Sequence, residues 1–443
     1  MILLDQFAKL LAAKRNGGHT VSKRDPFLDV VRVLAILLVV FQHWLVPVLG
    51  WNGTELTTGN AYATPGWWAL TWVGQVMPLV FFAGGAANLL SLRSHRGRGG
   101  SVRDWLSSRV HRLAVPMLPL IGVWLLLPHL LTVLDVPLQP LNIGSAVVGQ
   151  LLWFMAVYLA AILVTPWLVQ AEERYGLRVF AALAGAAVLV DVLRFSGVPM
   201  AGFLNAVFVW LAVHQLGFHY AKNPPSMRAA GAMAAAGFGL TALMVAFGPY
   251  PLSMIGMPGA PVSNAGPPTA CLITLGIGQI GLVLLARPLI RSLVARPAAA
   301  TVLTWVGARS MSLYLWHMSA MVAVAGVWTI GLGYSTPAPG SVLWFAVLPL
   351  WIGSCAAVLY GLLRAFGRFE ASAPGPLTLQ PPTLQVMLGT AVIAAGTLGI
   401  AATGFAPGDG VVPAGAAVWS AIVLSGLLAV RYRLPSVSVV RNA

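Results

Sequence analysis

The sequence predicts an all-α polytopic membrane protein. Only 8% of its 443 residues are charged and 58% are hydrophobic, whereas a soluble domain carries about 25% charged residues. Apolar stretches of about 18 residues or more recur along the whole length, and each is long enough to cross a bilayer as a helix. Lysine and arginine collect between alternate stretches, which is typical of cytoplasmic loops.

The apolar stretches predict twelve helices. In chain order they cover approximately residues 27–49, 67–92, 113–133, 145–169, 177–194, 201–220, 229–248, 268–286, 302–330, 341–366, 384–405 and 411–430. The last two are the weakest predictions, because glycine and alanine dilute their hydrophobicity.

The positive charges predict the orientation of the chain. Of the 26 lysines and arginines, 25 precede or open the first helix, lie in loops that follow even-numbered helices, or follow the last helix; only Arg194 falls on the other side. The positive-inside rule therefore places both termini in the cytoplasm and the protein in the plasma or inner membrane. Topology and anionic lipids account for the net charge of +15, so no nucleic-acid partner is expected.

The predicted helices group into a core and an appendage. Residues 25–370 form a ten-helix core, preceded by residues 1–24, which form either a short interfacial helix or a disordered tail. A proline-rich linker at 371–383 leads to residues 384–443, which hold two further transmembrane helices and a basic tail. The uncharged, proline- and glycine-rich loop 249–267 is either an ordered outward-facing connector or a lid over a site.

Arg32 and His43, both in the first helix, are the strongest site candidates. Ionisable side chains are costly in hydrocarbon, so they are expected to face a protein-lined or wet cavity. Their separation of eleven residues is about 20° past three full turns, which puts them on one stripe of the helix, roughly 16 Å apart along its axis. This layout suits a site that binds an anionic donor near the cytoplasm and carries out proton chemistry near the bilayer middle.

Each of these two residues has a purely structural alternative. His43 is either a general base, for which its ordinary pKa of about 6.5 is well suited, or a nucleophile that accepts the group to be transferred, or a hydrogen-bonded structural histidine. Arg32 binds the anionic donor, or it forms an ion pair with Asp29, which lies three residues earlier on the same face. Asp29 is also placed to orient Arg32 for donor binding.

The ordered motifs of the chain resemble the acyltransferase-3 family of integral membrane O-acyltransferases. The first helix, with Asp29-x-x-Arg32-x10-His43, is similar to the opening helix of that family. Matching segments follow in order at 81–86 (FFAGGA), at 109–112 (RVHR), at 152–158 (LWFMAVY) and at 307–317 (GARSMSLYLWH). The resemblance covers about residues 25–366. Ala83 departs from it, because many members carry serine there, and any role of that hydroxyl is missing here.

The resemblance implies an acyltransferase and its substrates. Family members move acyl groups onto hydroxyls of sugars, lipids and secondary metabolites. For this chain it implies cytoplasmic acyl-coenzyme A as co-substrate, an acetyl or other short acyl group, and a glycan, lipid-linked glycan or glycosylated metabolite as acceptor. No permanently bound cofactor is expected, and no cysteine–histidine spacing suggests a metal.

Four further residues are site candidates on this interpretation. Arg109 and Arg112, one turn apart at the start of the third helix, either bind the phosphates of coenzyme A through their guanidinium groups or serve as topology anchors. His317, about two turns inside the ninth helix, and Tyr314, one turn earlier, either support the reaction or belong to a structural network.

A twelve-helix secondary transporter or exporter is the alternative function. In that case Arg32, His43 and His317 would form a substrate or proton pathway. Covalent turnover of an acyl donor distinguishes the two functions.

Overall fold

The computed structural model describes residues 25–370, 381–406 and 414–432, most of them in helices. The helices are α1 (Pro26–Leu45), α2 (Thr71–Gly74), α3 (Met77–Gly97), α4 (Val102–Val133), α5 (Leu138–Gln150), α6 (Leu152–Tyr175), α7 (Leu177–Phe195), α8 (Asn205–Lys222), α9 (Met227–Phe247), α10 (Cys271–Leu285), α11 (Arg287–Val294), α12 (Pro297–Gly307), α13 (Ser310–Ala325), α14 (Val342–Phe366), α15 (Thr383–Thr403) and α16 (Ala414–Arg431). Two short strands, β1 (Pro47–Trp51) and β2 (Leu56–Asn60), form an antiparallel hairpin after α1. The predicted N-terminal segment 1–24 and residues 371–380 of the predicted linker lie outside the described residues.

Helices occupy all twelve predicted stretches, but three of the predicted single helices are broken. The second is interrupted at Gln75 between α2 and α3, the fourth at Leu151 between α5 and α6, and the ninth between α12 and α13. Within the described residues, nine helical segments are long and apolar enough to cross a membrane, or ten if α10 and α11, which meet at a 54° bend, count as one span. The chain is therefore a multi-pass membrane protein.

Glycines allow the core helices α3 and α8 to pack backbone against backbone. A Cβ at Gly85 would collide with the carbonyl oxygen of His214, and one at Gly217 would collide with the carbonyl oxygen of Phe82. Small residues at such positions let membrane helices approach closely, where van der Waals contact replaces the missing hydrophobic driving force.

The predicted outward-facing loop is held to the bundle by polar contacts. Asp191, buried near the end of α7, accepts hydrogen bonds from the Asn205 side chain, from the Tyr250 hydroxyl (3.1 Å) and from the backbone N–H of Ala270 (2.7 Å). Burial, together with the Asp191 carboxylate beside it, raises the pKa of the Tyr250 hydroxyl. Arg194, which the sequence places near Asp191, donates to the carbonyl of Pro267 instead. The loop is thus an ordered connector, and its role as a lid stays a prediction.

Candidate active site

The structure brings His43 of α1 into contact with His317 of α13. His43 Nδ1 lies 2.9 Å from His317 Nε2, and the two rings are stacked with their centroids 5.0 Å apart. The adjacent indole of Trp44 donates from Nε1 to the carbonyl oxygen of His317 over 3.0 Å. Two neighbouring residues of α1 therefore hold the same residue of α13.

The hydrogen-bond partners assign the proton positions on both rings. His317 Nδ1 lies 2.6 Å from the carbonyl oxygen of Tyr314, which can only accept, so Nδ1 carries the hydrogen. In the neutral ring His317 Nε2 is then the acceptor, and His43 Nδ1–H donates to it. His43 Nε2 is left with its lone pair and has no hydrogen-bond partner among the described residues. This nitrogen has the properties of a base or a nucleophile.

One strip of α1 that includes His43 faces away from the outer surface of the bundle. Arg32, Ile36 and His43 lie within about 40° of one another around the helix axis. All three are partly accessible, whereas most of the residues beside this strip are buried. The exposed apolar side chains of the same helix, among them Leu34 and Leu38, lie on the opposite face. Arg32 and His43 therefore face the inside of the protein rather than lipid.

Arg32 forms the ion pair that was predicted as its structural alternative. Its Nη2 donates to Asp29 Oδ1 over 3.1 Å, and the two side chains are 30% and 23% exposed. The Nε of Arg32 is buried and has no hydrogen-bond partner within the described residues. The guanidinium also lies near Gly307, at the end of α12. The ion pair with Asp29 thus fixes the guanidinium of Arg32 on one side.

The structure places Arg109 and Arg112 in different surroundings. Helix α4 begins at Val102, eleven residues earlier than predicted, so both arginines lie inside the helix and not at its start. Arg109 is partly buried, and its Nη2 donates to the carbonyl oxygen of Ala87 in α3 over 3.2 Å. Arg112 is exposed. Arg109 therefore contributes to the contact between α3 and α4, whereas Arg112 is accessible to an anionic ligand.

Tyr314 connects the histidine pair to the motifs of other helices. Its hydroxyl donates over 2.8 Å to the carbonyl oxygen of Leu151, at the break between α5 and α6. Its ring packs edge-on against Phe154, with centroids 5.0 Å apart, and Phe154 packs in turn against Phe81 of α3. The ring centroids of His317 and Tyr314 are 5.9 Å apart. Motif segments far apart in the sequence thus meet around one buried site.

Comparison with known families agrees with this assembly of motifs. The family model for an acyltransferase domain, which describes the acyltransferase-3 family, matches residues 25–363. The chain belongs to the acyltransferase-3 family. No curated protein and no solved structure is significantly similar to the chain. The family resemblance noted in the sequence is confirmed, and the protein is a multi-pass membrane acyltransferase. Helices α15 and α16 lie outside the family match.

In this acyltransferase, Arg287 holds the start of the helix that carries His43. It lies at the bend between α10 and α11 and pairs with Asp25 Oδ2 over 3.1 Å. The Tyr220 hydroxyl donates to the same oxygen over 2.9 Å, and the guanidinium lies over the rings of Phe27 and Tyr220. The sequence analysis counted Arg287 only among the positive charges that predict the orientation of the chain. The available signal was Asp25, an acidic N-cap residue directly before a proline.

Glu370 caps the helix that carries His317. Its carboxylate accepts hydrogen bonds of 2.9 Å from the backbone N–H groups of both Met311 and Ser312, in the first turn of α13. A carboxylate there satisfies unpaired helix donors and interacts favourably with the helix dipole. The sequence analysis missed this residue because almost 60 positions separate it from the helix that it caps.

An aromatic crevice lies at the end of α1 beyond His43. Its lining includes Trp44, Tyr334, Thr336, Trp344 and Trp351. Trp351 Nε1 donates to the carbonyl oxygen of Trp44 over 2.7 Å. Since Trp44 also contacts His317, one indole separates the crevice from the histidine pair. The crevice therefore lies next to the histidine pair.

Proposed function

We propose that this membrane acyltransferase moves an acyl group from cytoplasmic acyl-coenzyme A to a hydroxyl of a glycan, lipid-linked glycan or glycosylated metabolite, with His43 Nε2 as the base. The observation that carries the proposal is the hydrogen-bond chain from the Tyr314 carbonyl through His317 to His43. It leaves one bare imidazole nitrogen on the inward-facing, partly accessible strip of α1.

The proposed reaction needs a base at the acceptor hydroxyl. His43 Nε2 takes the hydroxyl proton as the oxygen attacks the thioester carbonyl carbon. The carbon–sulfur bond of the tetrahedral intermediate then breaks, and the proton passes from His43 to the departing thiolate, which gives an ester and coenzyme A. While His43 is charged, its hydrogen bond to His317 is strengthened, because hydrogen bonds from ionised donors are roughly twice as strong as neutral ones. Such a base contributes about 10²- to 10⁴-fold to the rate.

An acyl-histidine intermediate is a second route through the same nitrogen. His43 Nε2 would attack the thioester carbonyl carbon itself and release coenzyme A as the thiolate. The acyl group would then pass from the acyl-imidazolium to the acceptor hydroxyl, whose released proton balances the charge of the thiolate. Both routes use the same tautomer of His43. Rapid mixing with labelled acyl-coenzyme A in the absence of acceptor distinguishes them, because only the second route labels the protein.

Arg32 and Arg112 support the proposed donor side. Arg32 lies on the His43 strip of α1, about 16 Å toward the start of the helix, and its buried Nε has no hydrogen-bond partner within the described residues. Arg112 is exposed on α4. Guanidinium groups bind phosphates in a bidentate manner, which suits the phosphates of coenzyme A. Arg109 contributes through the contact between α3 and α4. The family resemblance favours an acetyl or another short acyl group.

The aromatic crevice supports the proposed acceptor side. It lies at the end of α1 opposite to Asp29 and Arg32, so donor and acceptor would approach His43 from opposite directions. The Trp344 indole N–H and the Tyr334 hydroxyl have no hydrogen-bond partner among the described residues. With both termini in the cytoplasm, this end would face outward from the plasma or inner membrane.

Covalent turnover tests the proposed function. Purified protein is incubated with radiolabelled acetyl-coenzyme A and a cell-envelope glycan fraction, and free thiol and labelled acceptor are measured together. We expect both to appear with the unaltered protein and neither with His43→Ala, which is still expected to insert into the membrane. His129→Ala, a histidine of α4 outside the site, is the matched control and is expected to be active.

Two outcomes contradict the proposal. Near-normal turnover in the His43→Ala variant would exclude His43 as base or acyl carrier. Unmodified product, together with uptake into vesicles driven by a pH gradient, would favour the transporter.

A further inference from the structure

The two helices outside the family match pack directly against the core. A Cβ at Gly149 in α5 would lie 2.7 Å from the Cα of Gly404, and a Cβ at Gly404 would lie 2.9 Å from the Cα of Ala146. The end of α15 therefore touches α5 backbone against backbone, and only glycine fits there. The pair α15–α16 is an integral part of the packed bundle.

Phe405 links this pair to the helix that carries His317. Its backbone N–H donates to the carbonyl oxygen of Ser145 in α5. Its ring is fully buried, and the centroid of that ring lies 6.5 Å from the ring centroid of Trp124 in α4. Trp124 Nε1 donates to the Ser319 hydroxyl over 2.9 Å, and Ser319 lies two residues after His317. Trp124 and Ser319 are both buried, so loss of this bond would leave an unpaired polar group inside the protein.

Helix α13 is held from two opposite sides. Ser319 is displaced about 200° from His317 around the helix axis, so Trp124 contacts the back of α13 while α1 contacts its front. Val322 lies on the same back face, and a Cβ at Gly144 in α5 would lie 2.8 Å from its Cγ1. The helices that support the back of α13 are thus α4 and α5, and both are covered by the end of α15.

We propose that Phe405 is a positioning residue for acyl transfer. The pair α15–α16 keeps Trp124 against Ser319 and thereby keeps His317 within hydrogen-bond distance of His43. This inference rests on the proposed roles of the two histidines. A displacement of about 1 Å at a reacting group can cost about 10²-fold in rate, so a contact that maintains the 2.9 Å separation matters for turnover.

The test uses single substitutions along the chain of contacts in the full-length protein. Phe405→Ala, Trp124→Phe and Ser319→Ala are each expected to lower kcat per folded molecule about 5- to 50-fold, on the scale of a lost buried hydrogen bond. The KM for acetyl-coenzyme A is expected to stay within about twofold, because none of these residues contacts the donor-binding arginines. Phe405→Leu keeps most of the buried volume and is expected to retain most of the activity.

A double substitution separates positioning from simple destabilisation. The kcat of the double variant Trp124→Phe, Ser319→Ala is expected to lie within about twofold of the kcat of the less active single variant, because both changes remove the same hydrogen bond. A purely structural defect would lower the amount of folded protein and leave kcat per folded molecule unchanged. Leu398→Ala, at an exposed position of α15, is the matched control and is expected to behave as the unaltered protein.

The outcomes distinguish this inference from the proposed function. Unaltered kcat in folded Phe405→Ala, or multiplicative losses in the double variant, would overturn the positioning role. If Phe405→Ala does not fold, the positioning role is tested by kcat per folded molecule in Phe405→Leu, Trp124→Phe and Ser319→Ala. Near-normal turnover in His43→Ala would refute the proposed base, whereas an inactive His43→Ala beside a fully active Phe405→Ala would refute the positioning role alone.

Discussion

The contact between the two histidines predicts the effect of replacing His317. In His317→Phe the flat ring and most of the volume are kept, but the Nε2 acceptor of His43 Nδ1–H is lost. A buried donor left without a partner costs about 1–3 kcal/mol, which corresponds to about 5- to 150-fold in rate if the whole cost falls on the transition state. We therefore expect kcat to fall about 10- to 100-fold.

A second effect of this substitution acts through the tautomer of His43. Without the acceptor at His317, the hydrogen of the neutral imidazole is free to move to Nε2, and that tautomer has no lone pair at the reacting position. Loss of the tautomer-setting partner lowers kcat about 10⁴-fold in a serine protease triad. Since His43→Ala removes the base altogether, His317→Phe is expected to lie between it and the unaltered protein.

Steady-state thiol release with labelling of the acceptor measures the effect. The KM for acetyl-coenzyme A is expected to change little, because the proposed donor contacts lie about 16 Å away along α1. His129→Phe, the same change at a histidine outside the site, serves as control. The inferred hydrogen-bond chain would be refuted if the kcat of His317→Phe were within twofold of that of the unaltered protein. It would also be refuted if that kcat were lower than the kcat of His43→Ala.

The other predictions concern the basic residues and the helix packing. Arg112→Ala is expected to raise the KM for acetyl-coenzyme A with little change in kcat, because its exposed guanidinium is accessible to phosphates; an unchanged KM would leave Arg112 as a topology anchor. Arg109→Ala is expected to lower the thermal unfolding temperature more than the donor affinity, since its guanidinium bonds a carbonyl of α3; a larger effect on KM than on melting would contradict this. Gly85→Ala is expected to cost about 1–3 kcal/mol of stability through overpacking, visible as a lower melting temperature in detergent. Gly122→Ala, in open space, is the control, and equal melting of the two variants would argue against close packing of α3 and α8.

Hydropathy predicted where helices lie better than where they break. Each apolar stretch contains a helix because the signal is local and repeats every few residues. The break at Leu151 has no such signal: its carbonyl accepts from the Tyr314 hydroxyl, more than 160 residues away. An average over a window of about 19 residues also hides a short interruption such as the one at Gln75.

The local helix period was enough to put Arg32 and His43 on one inward-facing strip of α1, because their relative direction depends only on the rise and turn of a single helix. The partner of His43 and its free nitrogen were decided by tertiary structure, since they depend on how α13 packs against α1. The same holds for Arg109, which sequence spacing paired with Arg112 and whose guanidinium donates to a backbone carbonyl of α3. A helix determines the directions of its own side chains, whereas only the assembled bundle determines what they meet.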